Sequence, residues 1–444
     1  MAQSPVGRSA VEKHIGSSNR ILIVLLLVVS LLPTIVRHGS IVRYGIAGGV
    51  LFIAAVTALL LLRDADHQTH LMSFLLTNRL FVAALVLYGV AISVAARAGG
   101  ALPDNVHALG GFFIIITILL FLPVAVREKG QFIFLVQALF IVGVVNATVA
   151  FLLLVLKWAC GSSLGIFPVW QFSNNKLALM QKTGIPYVMK GLFWHPNFLG
   201  ILSAFTLPSG LFLAQQAPSR STKWLYRAGL VLLLFSLAGA FAFISMVAAC
   251  IGLVLFRVST KKTIVTLTRM FIVISVLTMN IVILAGGDLT FLNSLPITSP
   301  GRVERWNKAI MIIHEHPFWG VGASNSSAFL PGGLSAHNTF VDIALGSGIP
   351  AVIIYSAFLL NVADKICRPG KDSLSAYMVT SFLCFFFLQF FETQLPGGMS
   401  VANFYFLMLT TAYVSISSSG MMQMKSLADT PDDQPQFRET MQNE

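Results

Sequence analysis

Ten stretches of 16 to 25 residues in this chain are almost wholly apolar, at about 21–36, 41–62, 80–96, 110–126, 132–156, 192–214, 264–285, 339–361, 373–391 and 400–417. Runs of that length belong in a bilayer, because about 20 residues rising 1.5 Å each cross a hydrocarbon layer about 30 Å thick. Inside lipid every backbone N–H and C=O must find a partner within the protein, which leaves only helices and closed barrels. Barrel strands alternate apolar and polar residues, and neither Leu22 to Leu32 nor Phe112 to Leu122 does so. Helices are the expectation. At 56% hydrophobic against 10% charged residues the chain cannot cover a water-facing surface, so a soluble enzyme is excluded.

An eleventh stretch, 228–256, is too long for one comfortable span and short for two, so its flanking charges decide. Arg220, Lys223 and Arg227 precede it, and Arg257, Lys261 and Lys262 follow. Two strongly positive short loops belong on one side of a membrane, so the stretch crosses twice, with a bend near Gly239 and two helices of about 14 residues. Twelve spans result. The count puts 19 of the 29 Lys and Arg on one side, and 7 of the other 10 fall in two long loops that the short-loop rule does not weigh. Both termini are therefore read as cytoplasmic, with long outward loops at about 157–191 and 286–338. The fold class expected is an all-α polytopic integral membrane protein, one transmembrane domain over 1–425. A polar tail over 426–444, with Pro431, Asp432, Asp433 and Pro435, reads as disordered and cytoplasmic. Arg8, Lys13 and Arg20 before the first run resemble a signal peptide, but a second apolar run follows directly, so that run reads as an uncleaved span.

The net charge of +12 records this topology and does not point to nucleic acid. Cys160, Cys250, Cys367 and Cys384 stand far apart, without the pairing of a disulfide framework or zinc site. Two polar clusters attract notice and are set aside. Asp64-Ala-Asp66-His67-Gln-Thr-His70 falls in a short loop on the cytoplasmic side, and His314-Glu315-His316 lacks the spacing of a zincin helix. No metal site and no P-loop is read.

The outward loops carry the chemistry. The first holds Lys157, Lys176, Lys182 and Lys190 and no acid, which suits anions, whether lipid head groups or a substrate. Lys190 lies just before a span, beside His195 and Asn197, which serve either a phosphate site or the free backbone donors of a helix start. In the second loop Val303, Trp306, Ile310 and Ile313 recur at steps of three, four and three, one face of a helix that Pro300 opens and Pro317 ends. At 100° per residue Arg302 borders this stripe and Arg305 lies 60° further round, while Glu304 and Lys308 take the wet side. An arginine there either snorkels or offers its fork to phosphate oxygens. His337, at the mouth of the next span with Ser335 and Asn338, is either a structural residue or a proton acceptor. Asp342, five residues on, either orients this region or is a satisfied buried acid; it and Glu392 are the few intramembrane acids.

Gly301-Arg302 and Trp306, then His316-Pro317-Phe-Trp-Gly320-Val-Gly322, then Ala336-His337-Asn338-Thr-Phe340 and Gly346-Ser-Gly348-Ile349-Pro350, occur in an order that resembles the O-antigen ligase and O-antigen polymerase superfamily. Lys190-Gly191 and Phe193-Trp-His195-Pro196-Asn197 resemble its earlier outer motif, and the ligase pattern looks closest. The chain departs from the family in two places: Lys190 stands where an arginine is frequent, and Ser245-Met246 where a Ser-Arg pair is frequent. The resemblance implies a cofactor-free, metal- and ATP-independent glycosyltransferase of the bacterial inner membrane, with its site facing the periplasm and a helix in the long periplasmic loop before the tenth span. Its donor would be an undecaprenyl-diphosphate-linked glycan and its acceptor lipid A-core. His337 would act as base and Arg302, Lys190 and Arg305 would hold the diphosphate, with Asn338, His195, Asn197 and Trp306 in support. A polymerase or a protein O-oligosaccharyltransferase of the same superfamily is the alternative. A lipid-linked-glycan transporter is a distant one, since no internal repeat is visible and the candidate residues gather on one side.

Overall fold

The computed structural model describes residues 18–27, 53–98, 102–160, 170–171, 187–193, 195–259, 261–290, 300–322, 326–367, 372–392 and 401–428. These form helices α1 (Ser18–Leu27), α2 (53–61), α3 (Ala65–Thr77), α4 (Arg79–Ala98), α5 (Leu102–Ala125) and α6 (Lys129–Cys160). A two-stranded antiparallel pair follows, β1 (Trp170–Gln171) with β2 (Tyr187–Val188). Then come α7 (Pro196–Gln216), α8 (Arg220–Gly239), α9 (Phe243–Val258), α10 (Lys262–Ala285), α11 (Pro300–Glu315), α12 (Thr339–Ile366), α13 (Ser373–Leu388) and α14 (Val401–Ala428). The protein is a multi-pass helical membrane protein. Four described helices are each long and apolar enough to cross a bilayer, and α3 with α4, bent by 81°, form a fifth candidate if the pair is one span. Most of the first outward loop and residues 429–444 of the tail lie outside the described residues.

The stretch 228–256 breaks where the bend was expected. Gly239 ends α8, and Phe241 takes a left-handed φ of 48° in the turn to α9. A side chain at Gly239 would fall 2.2 Å from Met189 Sδ, and the Met189 amide donates to the Gly239 carbonyl at 2.9 Å, so the bend is also where β2 docks. The helices are longer than the 14 residues expected. Ser219 caps α8 by accepting from the Thr222 amide, which draws polar residues 220–227 into the helix and gives it 20 residues, about 30 Å. Similarly, the segment 63–79, expected as a loop, forms α3, because Asp64 accepts from the Asp66 amide and caps it. Hydropathy alone does not reveal so polar a helix.

α12 departs most from expectation. Gly348 has φ 83° and ψ 172°, outside helical geometry. Fifteen helical residues would hold Phe340 and Tyr355 about 22 Å apart, yet their ring centroids are 5.9 Å apart. The element is therefore sharply bent, and the segment expected as one span, 339–361, is a short helix, 339–347, followed by a longer one over 349–366. The turn after α11 satisfies the backbone groups freed by the break. Val321 and Gly322 amides donate to the Leu345 and Gly346 carbonyls at 2.8 and 3.1 Å, and Ile349 donates to Pro317 at 2.7 Å. A side chain at Gly348 would meet Phe318 O at 2.2 Å, so both the left-handed backbone and the close approach require glycine.

Side-chain bonds sort the helix ends into two groups. At one end Gln216 donates to Ser373 (2.7 Å), Lys365 to Asn78 (2.8 Å) and Asn78 to Ser418 (2.9 Å), and Arg269 pairs with Asp364. At the other end lie the β2–α7 segment, the α8–α9 turn, α11, the start of α12 and the end of α13.

Candidate active site

Four elements meet on one carboxylate at this second end. Glu392, four residues past α13, is only 11% exposed at its side chain. Its Oε1 accepts from Asn197 Nδ2 at 3.0 Å and from an Arg302 guanidinium nitrogen at 3.4 Å, and its Oε2 faces His337 Nδ1 at 3.2 Å. Arg302 is 17% exposed, whereas His337 keeps 28% of its surface open. The carboxylate thus has a cation and an imidazole on opposite oxygens, and the histidine is the more exposed of the two.

Local sequence explains why each group is there. His195 caps α7, its Nδ1 accepting from the Asn197 amide at 3.1 Å, and Pro196 sets the first turn, so Asn197 leaves the helix start toward Glu392. α11 buries Val303, Trp306, Ile310 and Ile313 and leaves Glu304 and Lys308 exposed. That registration puts Arg302 at the edge of the buried face, near the helix start.

His337 is held in an uncommon backbone state, φ 54°, costing on the order of 1 kcal/mol. Its neighbours fix it from both sides. Trp306 Nε1 donates to the Ala336 carbonyl at 2.7 Å and Asp342 Oδ1 accepts from the Ala336 amide at 3.0 Å. On the other side Asn338 caps α12, accepting from the Phe340 and Val341 amides, and donates to the Phe390 carbonyl at 3.2 Å. Thr339 donates through its amide to Gln389 O and through its hydroxyl to Glu392 O, at 2.8 and 3.1 Å. The segments carrying His337 and Glu392 are laced together by backbone bonds, so their side chains meet by construction.

Of the residues singled out from sequence, Asn197, Arg302 and His337 converge on Glu392, while Trp306, Asn338 and His195 shape the backbone that carries them. Arg305 is half-buried, and its Nε is buried with no hydrogen-bond partner among the described residues. Burial, then the neighbouring Arg302 charge, pulls its guanidinium below the ordinary value, against the pull of Asp342 and Glu304. Lys190 follows β2, and its carbonyl accepts from the Phe193 amide; among the described residues the bonds seen at the Glu392 carboxylate go to Asn197, Arg302 and His337. Ser245 is buried near the start of α7, and Met246 beside it is exposed, so this position supplies no cation.

Glu392 is the residue that sequence reasoning passed over. It was legible as one of few acids in the apolar part of the chain, and such groups are functional candidates by default because burial of a charge is costly.

The fold and this cluster define a class: a multi-pass membrane protein with a polar, partly open site of arginine, histidine and carboxylate at one end of its bundle. Residues 228–356, under a third of the chain, match the family described as O-antigen ligase (Wzy_C), which supports a relation to the O-antigen ligase superfamily. The matched segment includes Arg302, Arg305, Trp306, His337 and Asn338; Lys190, Asn197 and Glu392 lie outside it. Comparison with curated proteins finds no match.

Proposed function

We propose that this protein is an O-antigen ligase, transferring a glycan from undecaprenyl diphosphate to lipid A-core at the periplasmic face of the bacterial inner membrane. In this reading twelve spans cross the bilayer, both termini are cytoplasmic, and the end that carries Glu392 faces outward. The observation that supports it is the meeting of His337, Arg302 and Asn197 on one carboxylate at the end of the bundle that holds the long loops.

The chemistry follows from the geometry. An oxygen of the acceptor hydroxyl attacks the anomeric carbon, the bond from that carbon to the phosphate oxygen breaks, and the diphosphate leaves with the electron pair. Arg302, with Lys190 and Arg305, takes up the charge that grows on the leaving group. The hydroxyl proton passes to His337. A carboxylate beside Nδ1 makes that nitrogen the donor, so Nε2 is the one with a lone pair for the proton, the tautomer logic of a histidine paired with an acid. A single in-line displacement of this kind inverts the anomeric centre.

The test is a reconstitution of the purified full-length protein with undecaprenyl-diphosphate-linked O-antigen and lipid A-core, without ATP or any gradient. Glycan joined to lipid A-core is the expected product. Longer glycan left on the carrier lipid would identify a polymerase instead, and no product without a gradient would favour transport.

A further inference from the structure

We propose that Glu392 is a positioning residue with two opposed effects: it aligns His337, and it competes with the donor diphosphate for Arg302. The inference rests on the reading of Arg302 as a diphosphate ligand. The carboxylate divides its oxygens unequally. Among the described residues Oε2 faces His337 alone, while Oε1 is shared between Asn197 at 3.0 Å and Arg302 at 3.4 Å. A relaxed charge-assisted N–H···O bond is about 2.7–2.9 Å long, so the arginine contact is at the loose end of the range. It is also single-pronged, whereas the strong arginine–carboxylate geometry uses two parallel bonds. Among the described residues Arg302 therefore has most of its five N–H donors left for another anion.

Arg305, one turn along α11, adds positive charge next to Arg302 and has a buried Nε still to satisfy. A diphosphate offers several oxygens to this pair at once, which one shared carboxylate oxygen does not. When the donor draws Arg302 away, Glu392 keeps Asn197 and His337, and its charge then bears on the imidazole alone. Donor binding and alignment of the base are coupled through one side chain. Because the carboxylate also repels the incoming anion, removing its charge strengthens donor binding while weakening turnover.

The experiment measures binding of undecaprenyl diphosphate to the full-length protein in nanodiscs, alongside turnover at saturating donor. Glu392→Gln is expected to lower Kd about tenfold, from loss of one charge within a few ångströms at the effective dielectric of a protein surface, and to lower turnover by tenfold or more. Adding Arg302→Gln should abolish the gain in binding. Asn197→Ala leaves Oε1 to Arg302, tightens that pair, and should raise Kd two- to fivefold; this variant carries the test if Glu392→Gln fails to fold. Unchanged or weaker binding by Glu392→Gln, or tighter binding by Asn197→Ala, overturns the competition. If even the wild-type protein fails to bind the probe, the diphosphate reading falls, and the inference with it.

Discussion

The two ends of the bundle carry nearly the same trio of side chains put together in opposite ways. At one end Asp64 faces His67 at 2.9 Å and Arg127 reaches the same imidazole nitrogen at 3.3 Å. At the other, Glu392 faces His337 and Arg302. Asp64 and His67 are three residues apart on one helix start, His67 is fully buried, and Asp64 is spent on capping α3. The Glu392 cluster draws on four elements between residues 197 and 392, and its histidine is partly open and held at a left-handed φ. A carboxylate and a histidine three residues apart make a helix cap, even with an arginine 60 residues on reaching the same ring. The same three brought together by the fold, with an approachable ring on a strained backbone, make a site.

The largest effect that would break this comparison is at the two histidines. General-base assistance is worth about 10²- to 10⁴-fold, so His337→Ala should lower turnover by that much while His67→Ala changes it less than about twofold. Comparable losses in a steady-state assay would erase the distinction between the ends. Next is the arginine fork. Arg302→Lys keeps the charge but loses paired bonds to phosphate and should cost about tenfold or more in turnover, whereas Lys308→Ala on the exposed face of α11 should be nearly silent. Equal, small effects would reduce α11 to a surface element.

Smaller effects sharpen the contrast. Trp306→Phe removes the bond to Ala336 that braces His337, so a few-fold loss of turnover is expected with little change in donor affinity. Asp64→Asn should leave turnover unchanged and alter only the pH dependence of stability. The Asp66 amide, followed by His67, holds the Asp64 carboxyl below the ordinary range. A carboxyl with a depressed folded value stabilises above the unfolded value, about pH 4, and loses that contribution as pH falls through its folded value. Melting curves between pH 3 and 6 should show a slightly smaller acid-side decline for Asp64→Asn.

How much of this could be read from the chain depended on whether the signal was local. The face of α11 followed from the three-four-three spacing of Val303, Trp306, Ile310 and Ile313, and the α8–α9 bend from paired basic loops with a glycine between them. His337, Arg302 and Asn197 stood out by residue type and by their place in outward loops. The pivot that joins them did not, because Glu392 is 55 residues from His337 and 90 from Arg302, and no periodicity links positions so distant. The elbow in α12 was hidden for a different reason. Gly346-Ser347-Gly348-Ile349-Pro350 marks a weak point in its apolar run, but hydropathy does not register it, and the turn from Pro317 to Gly322 that satisfies the freed backbone groups is distant in sequence.

The central claim, that Glu392 serves turnover by acting on His337, is tested most directly by a double-mutant cycle at saturating donor. Residues that act as a unit are strongly non-additive in turnover. Turnover is measured for the wild type, Glu392→Gln, His337→Ala and the double variant, with melting curves to establish that all four fold. The account predicts that Glu392→Gln lowers turnover in the wild-type background and has almost no further effect once His337 is alanine. Fully additive losses, with Glu392→Gln costing as much in the absence of His337 as in its presence, would contradict it.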